Sequence, residues 1–357
     1  MNSLTRIKDS QFLYVGFNQD AGCISCGTQS GFAIYNTDPF KETFKRSFGS
    51  GGGIGIVEML FRCNILALVG GGDNPKWPRN RVIIWDDHQN KCLGDLTFHS
   101  DVLAVKLRRD RVIVVLEKKV HFYDFADLRL TEQIETTSNP RGLIAVCPAT
   151  MPSVIACPGA EPGQIRVEQG EGSTSSTVHI HAHNHDLAAL AISPDGTLVA
   201  SASAKGTLIR VFDTQTTHHL QELRRGAFGA AIGSLAFSPM KDMLATTSDK
   251  GTVHIFQLGV EAAEASGTRA KGGKSTLFKP LSNGVKLVSD TKSIASYRIK
   301  DRSAVCAFTH NGANLVIVSS DGTYYKLEVP TTDETTAKEL ECRLQFQGVI
   351  DPHLDAV

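Results

Sequence analysis

The run Leu223-Arg224-Arg225-Gly226 sets two guanidinium groups side by side at the close of an extended, β-prone stretch. Successive side chains of a strand point to opposite faces, so adjacent arginines do not enter one pocket. They are expected to serve two pockets, one on each side of a junction between consecutive repeats. A guanidinium presents a planar fork of donors, holds two phosphate oxygens at once and stays charged at every physiological pH. Small donors lie on either side of the pair: Ser201, Ser203, Gly206, Thr207 and Arg210 before it, and Thr247, Ser248, Thr252 and His254 after it. His183 is placed to edge the first set. Hydroxyls, backbone N–H groups near Gly206 and Gly251, and a cation are what a compact phosphorylated ring requires. Taken singly, each residue is more often structural, as a hydroxyl bonded within its own sheet or a solvated arginine. Their coincidence at one junction is what points to anion binding.

Holding such a set takes a repeated scaffold. The stretch SPDGTLVASASAKGTLIRVFD (Ser193 to Asp213) returns as SPMKDMLATTSDKGTVHIFQL (Ser238 to Leu258), a period of 45 residues. A four-stranded propeller blade takes ~40–45 residues. In the first copy Leu187 to Ser193, Leu198 to Ser203, Leu208 to Phe212 and His219 to Leu223 are β-prone runs between turn residues. The third strand of each unit ends on Tyr35, Trp85, Tyr123, Val167, Phe212, Phe256 and Tyr325, at spacings of 50, 38, 44, 45, 44 and 69. The chain is therefore read as all-β: one WD40-like, seven-bladed β-propeller over residues 1–357, four strands to a blade. Each blade starts with its inner strand, from Phe12 to Phe17 in blade one to Cys342 to Phe346 as the outer strand of blade seven. No strand is left to share, so blades one and seven are expected to meet through side-chain packing alone. Arg210 aligns with His254 only after a one-residue shift, for which a β-bulge in blade five is the expected device.

The overlong last interval holds residues 259–293, a loop of blade six before Ile294 to Ile299 resumes the β-pattern. It carries six cations (Arg269, Lys271, Lys274, Lys279, Lys286, Lys292) against three anions (Glu261, Glu264, Asp290) in a chain whose Lys plus Arg and Asp plus Glu both number 37. Leu277, Phe278, Leu281, Val285 and Val288 would share one face of a helix, an interfacial pattern. Pro280 and Gly284 oppose a stable helix in water, so folding on contact with lipid is expected, against the plain alternative of a disordered linker.

Zero net charge gives no general attraction to nucleic acid or acidic membrane, so anion binding must be local. Met1 to Gln11 has no apolar core, no secretory signal is expected, and no apolar run approaches the ~18 residues of a membrane span. The expectation is a cytoplasmic monomer whose eight cysteines are reduced and mostly buried.

The segment GGGIGIVEMLFRCNILALVGGGDNPKWPRNRVIIWDD, the segment AVKLRRDRVIVVLE, the blade five and six repeat, and LRRG together resemble the PROPPIN family, WIPI-type propellers that bind phosphoinositides in autophagy and endosomal traffic. Many members have Phe before the arginine pair, and Leu223 is similar to the shorter members. The resemblance implies binding of phosphatidylinositol 3-phosphate and the 3,5-bisphosphate, with Arg224 and Arg225 each anchoring one head group. It implies that the blade six loop enters the bilayer through Leu277, Phe278 and Leu281. It further implies peripheral residence on autophagosome-precursor and endosomal or vacuolar membranes, and recruitment of autophagy proteins including a rod-shaped lipid-transfer protein. Asn18 and Asp20 fall where it suggests a partner contact, although an Asx-type turn is the better reading of the residues themselves.

Other motifs carry less. Cys23 and Cys26 form a lone CxxC whose side chains would face opposite sides of a strand. His179, His181, His183 and His185 alternate and would line one strand face, as a metal site or as a polar outer strand. Gly51, Gly52, Gly53 and Gly55 lack the Lys-Ser or Lys-Thr of a phosphate loop and read as a tight turn. No nucleophile elbow, paired carboxylates or zinc-protease motif is present, so no enzyme, cofactor or metal is expected. The rival reading is a soluble WD-type scaffold that binds only protein partners.

Overall fold

The computed structural model describes residues 12–149, 151–170, 175–259, 290–300, 302–330 and 338–343. Within them the seven repeats form seven separate sheets whose strands follow one another in chain order, four to a blade, with one addition in blade five. The first strands of successive blades neighbour one another around the axis, as Leu187–Ile192, Ile232–Phe237 and Ala304–Phe308 do. Among the described residues no strand is shared at the closure.

Blades stack face to face, so a middle strand is covered on both sides. Every residue of Leu198–Ser203 is buried, whereas the outer strand Lys41–Ser47 is mostly exposed. Alternation of polarity is therefore legible only in outer strands. Val199 and Phe212 pack toward blade four with Ile165, Val167 and Ile180. Ala200, Ala202, Ile209, Val211 and Leu223 pack toward blade six against Ile232, Leu244 and Phe256. Truncating the fully buried Phe256 to Ala would cost about 3–5 kcal/mol.

The 45-residue period has a physical cause at its first position. Ser193 Oγ donates to Asp195 (2.6 Å) and accepts from the Leu198 amide (3.0 Å). One period on, Ser238 Oγ donates to Asp242 (2.6 Å) and accepts from Met243 (2.9 Å). Each serine closes the turn between the first two strands of its blade.

Several expectations are corrected. The closure is not packing alone: Tyr324 of blade seven donates its hydroxyl to the Thr37 carbonyl at 3.0 Å, and Lys326 lies 3.0 Å from the Asp38 carboxylate. The outer strand of blade seven is Lys338–Arg343, earlier than expected, and residues 344–346 lie outside the described residues. Blade five does contain register shifts, between Leu187 and Ala189 in its first strand and at Val211/Phe212 against its outer strand, but neither displaces Arg210, since Leu198 to Ala202 pair without a break with Asp213 to Ile209. The extra residue sits in the hairpin turn: Thr207 precedes the strand Leu208–Asp213, whereas Thr252 begins its strand. Finally, the far end of the blade six loop is a strand, Asp290–Lys292. It pairs in parallel with the outer edge of blade five, Lys292 opposite Arg224, before the chain returns to blade six as Ala295–Arg298.

Candidate functional site

Arg224 ends the outer strand of blade five, opposite Leu208, and Glu222 lies opposite Arg210. Arg210 in turn lies opposite Ser201. Ser201, Arg210, Glu222 and Arg224 thus share the face of blade five that looks toward blade four. Arg210 donates through Nε to Glu222 (2.8 Å) and through Nη1 to the Ala182 carbonyl (2.6 Å). His183 follows at once and pairs its Nε2 with the buried Ser201 hydroxyl at 3.0 Å. Burial, reinforced by the Arg210 charge, pushes the His183 imidazole down to about 4. The face therefore holds a neutral imidazole, a hydroxyl and two guanidiniums, one of them neutralised by Glu222. Ser203, at the end of the same strand, is also buried.

Arg225 leaves the strand and turns toward blade six. Its amide donates to the Thr207 carbonyl (3.0 Å), its Nε to the Gly206 carbonyl (2.9 Å) and its Nη2 to the Phe228 carbonyl. Burial lowers its pKa, opposed by Asp249. Its charge reaches His254, whose pKa is lowered by burial and then by Arg225. His254 Nδ1 lies 3.2 Å from the Ser293 hydroxyl, and Ser248 and Thr252 pair their hydroxyls at 3.0 Å. Ser248, Thr252 and His254 share the face of blade six that looks toward blade five. The two arginines therefore diverge to the two faces of blade five, one toward blade four and one toward blade six. This corrects the expectation of two pockets flanking the blade five and six junction.

Gly206 has a backbone reason: its φ is +61°, and a Cβ there would meet the Ala230 carbonyl oxygen at 1.8 Å. The close approach lets its own carbonyl receive Arg225. Gly226 differs, with open space where a side chain would stand. Thr207 is buried in the turn.

Thr247 does not join the set. Its Oγ1 donates to the Ala304 carbonyl of blade seven at 2.7 Å, and its side chain is buried on the opposite face from His254. Asn18 is also buried, holding the Phe61 carbonyl (3.0 Å) and the Cys23 amide (2.9 Å). Asp20 is exposed, accepts from the Gly22 amide in an Asx turn and sits 3.5 Å from Arg62. Both line a cavity of about 640 Å³ at the end of the central channel, remote from the arginine pair. Leu277, Phe278 and Leu281 lie outside the described residues.

The histidine run does not line one face: His179 and His181 are exposed on the outer strand Ser176–His181, while His183 turns in to Ser201. Among the described residues no group of three or more His, Cys, Asp or Glu could hold a metal. Cys23 and Cys26 pack toward blades two and seven respectively. Within the Gly51–Gly55 run only Gly53 and Gly55 lie close against the backbone of Gly70 and Gly71, and Gly51 faces open space.

Sequence reading missed four neighbours of the site. Lys205 and Lys250 are exposed in the two equivalent hairpin turns, and the 45-residue period that relates them was available as a signal. Arg298 is exposed opposite Thr252, and Glu222 neutralises Arg210. Both depend on strand registers that the sequence does not state.

Residues 12–273 match the PROPPIN family model. The chain is 34% identical over 342 residues to autophagy-related protein 18e of Arabidopsis thaliana, covering 95% of this chain and 89% of that one. It is 33% identical over 362 residues to autophagy-related protein 18 of Dictyostelium discoideum, covering 96% and 95%. Among solved structures, Kluyveromyces lactis Hsv2 with its complete loop 6CD superposes with a TM-score of 0.77 at 22% identity, over 94% of this chain and 99% of that one. KlAtg21, solved in complex with the coiled coil of AgAtg16, gives 0.76 at 24% identity over the same shares. The chain belongs to the PROPPIN family, phosphoinositide-binding propellers among the autophagy-related proteins and not an enzyme family. No helix among the described residues is long and apolar enough to cross a membrane.

Proposed function

We propose that this chain is a peripheral effector that binds phosphatidylinositol 3-phosphate and the 3,5-bisphosphate at two sites and brings autophagy machinery to the membrane. The observation that carries the reading is the divergence of Arg224 and Arg225 to opposite faces of one blade, Arg224 on the face that carries Ser201 and Arg210, Arg225 with its charge acting on His254. The first site takes Arg224, Arg210, Ser201, Ser203 and His183. The second takes Arg225, Ser248, Thr252, His254 and Arg298, with Gly206, Thr207 and Gly226 shaping the turn between them.

A charge-assisted hydrogen bond contributes only ~1.5–3 kcal/mol net, so one such site is weak. Two sites on one rigid rim reach the same membrane, and the second engages at an effective concentration that raises avidity by ~10²–10⁴. Residues 259–293 add acyl-chain contact through Leu277, Phe278 and Leu281 and attraction of their cations to anionic lipid. The membranes are those of autophagosome precursors, endosomes or the vacuole. The partners are autophagy proteins, a rod-shaped lipid-transfer protein among them.

The test is flotation with phosphatidylcholine vesicles with and without phosphatidylinositol 3-phosphate. Co-flotation only with the doped vesicles is expected, reduced by changing Leu277, Phe278 and Leu281 to Ser with soluble head-group affinity unchanged. No flotation with either vesicle would remove the reading. A scaffold that binds only protein has one observation in its favour, the coiled-coil complex of KlAtg21. A protein contact away from blade five is compatible with both.

A further inference from the structure

The turn after Arg225 presents an apolar ring that nothing in the fold covers. Phe228 is 84% exposed, the most open large apolar side chain among the described residues, and Ala227 and Gly229 beside it are exposed as well. The turn is nonetheless tied down at both ends. Arg225 N donates to the Thr207 carbonyl at 3.0 Å, and Ala230 N to the Lys205 carbonyl at 3.2 Å. The Phe228 carbonyl itself accepts from Arg225 Nη2. A fixed backbone that holds an aromatic ring in solvent forgoes its burial, worth about 2 kcal/mol.

The surroundings say what would cover it. Lys205 and Lys250 in the adjoining turns, Arg224 one residue before Arg225, and Lys292 opposite Arg224 are all exposed. The acid nearest the turn, Asp249, is engaged by the Ala231 amide (3.0 Å) and Lys250 (3.7 Å). An exposed aromatic ring with exposed cations in the adjoining turns and strand ends fits an anionic bilayer surface: the ring enters the interfacial zone and the cations remain with the head groups.

We propose that Phe228 is a membrane anchor in its own right, entering a phosphoinositide-bearing bilayer beside the head group held by Arg225. The inference rests on the two-site reading above and adds a contact outside both the head-group residues and the blade six loop. It also couples the two events. A phosphate that engages Arg225 Nη2 displaces the Phe228 carbonyl from it, which frees the turn to seat its ring.

The test uses the full chain with Phe228→Trp and Phe228→Ser, on phosphatidylcholine vesicles doped with phosphatidylinositol 3-phosphate and carrying nitroxide-labelled acyl chains. Trp77 and Trp85 are present in wild type, which serves as the reference. The Trp variant should blue-shift and be quenched beyond wild type on doped vesicles, and not on plain ones. The Ser variant should bind doped vesicles about tenfold more weakly, while its affinity for a soluble head group is unchanged. Wild-type binding without quenching of the Trp variant, or a Ser variant that binds like wild type, overturns the anchor alone. A Ser variant that loses soluble head-group binding makes the ring part of the pocket and overturns it too. Failure of wild type to bind doped vesicles removes the two-site reading, and the anchor with it.

Discussion

Arg210 and Glu222 meet at 2.8 Å on the blade-five face that also carries Arg224. The proposed first site would thus contain a built-in competitor for a phosphate, because the carboxylate occupies one edge of a guanidinium otherwise offered to an anion. Changing Glu222 to Gln keeps a hydrogen-bonding group of the same size and removes the charge. Soluble head-group affinity at this site should rise a few-fold, as expected for a partly solvated ion pair. Calorimetry showing lost affinity would mean that Glu222 positions Arg210 for the ligand.

The two arginines are expected to differ in what they do for the fold. Arg225 caps two backbone carbonyls through its side chain, Gly206 and Phe228, while Arg224 is exposed at a strand end. Arg225→Thr should lower unfolding free energy by about 1–2 kcal/mol, and Arg224→Thr by less than ~0.5. Urea denaturation distinguishes them. Equal losses would contradict the geometry.

Thr247 separates structural from ligand-facing hydroxyls. Thr247→Val keeps the shape and leaves the Ala304 carbonyl without this donor, so it should cost about 0.5–1.5 kcal/mol of stability with vesicle binding intact. Intact stability with lost vesicle binding would return Thr247 to the lipid site.

The histidines give the propeller a pH dependence whose sign follows from burial. His183 titrates near 4 when folded and near 6.5 in an unfolded chain, so the unfolded state binds its proton first. Stability from this group is full above about 6.5 and is lost as pH falls toward 4, by on the order of 3 kcal/mol. His254 and His219, both lowered by burial and then by a neighbouring arginine, add in the same direction. Chemical denaturation from pH 7 to 4 should show the decline, and His183→Asn should flatten it. A His183→Asn profile parallel to wild type would show that the imidazole is not held neutral by its pocket.

Much of this was legible in residues. The 45-residue return of Ser193 at Ser238 encodes the blade because each serine closes the same turn, and the adjacency of Arg224 and Arg225 encodes their divergence. What escaped reading depended on register or on long-range pairing. Thr207 and Thr252 match in sequence yet lie inside and beyond a turn, because one extra residue entered the blade five hairpin. Thr247 looks like Ser248 in the string, but the period of two along a strand sends them to opposite faces. The parallel strand Asp290–Lys292 pairs with blade five across a long separation that no local pattern marks.

The central claim is that two separate phosphate sites lie on the two faces of one blade. Isothermal titration of the chain with a short-chain, soluble phosphatidylinositol 3-phosphate tests it most directly. Two equivalents are expected for wild type, one for Arg224→Thr, one for Arg225→Thr, and none for the double variant. A single equivalent that survives loss of both arginines would contradict the account.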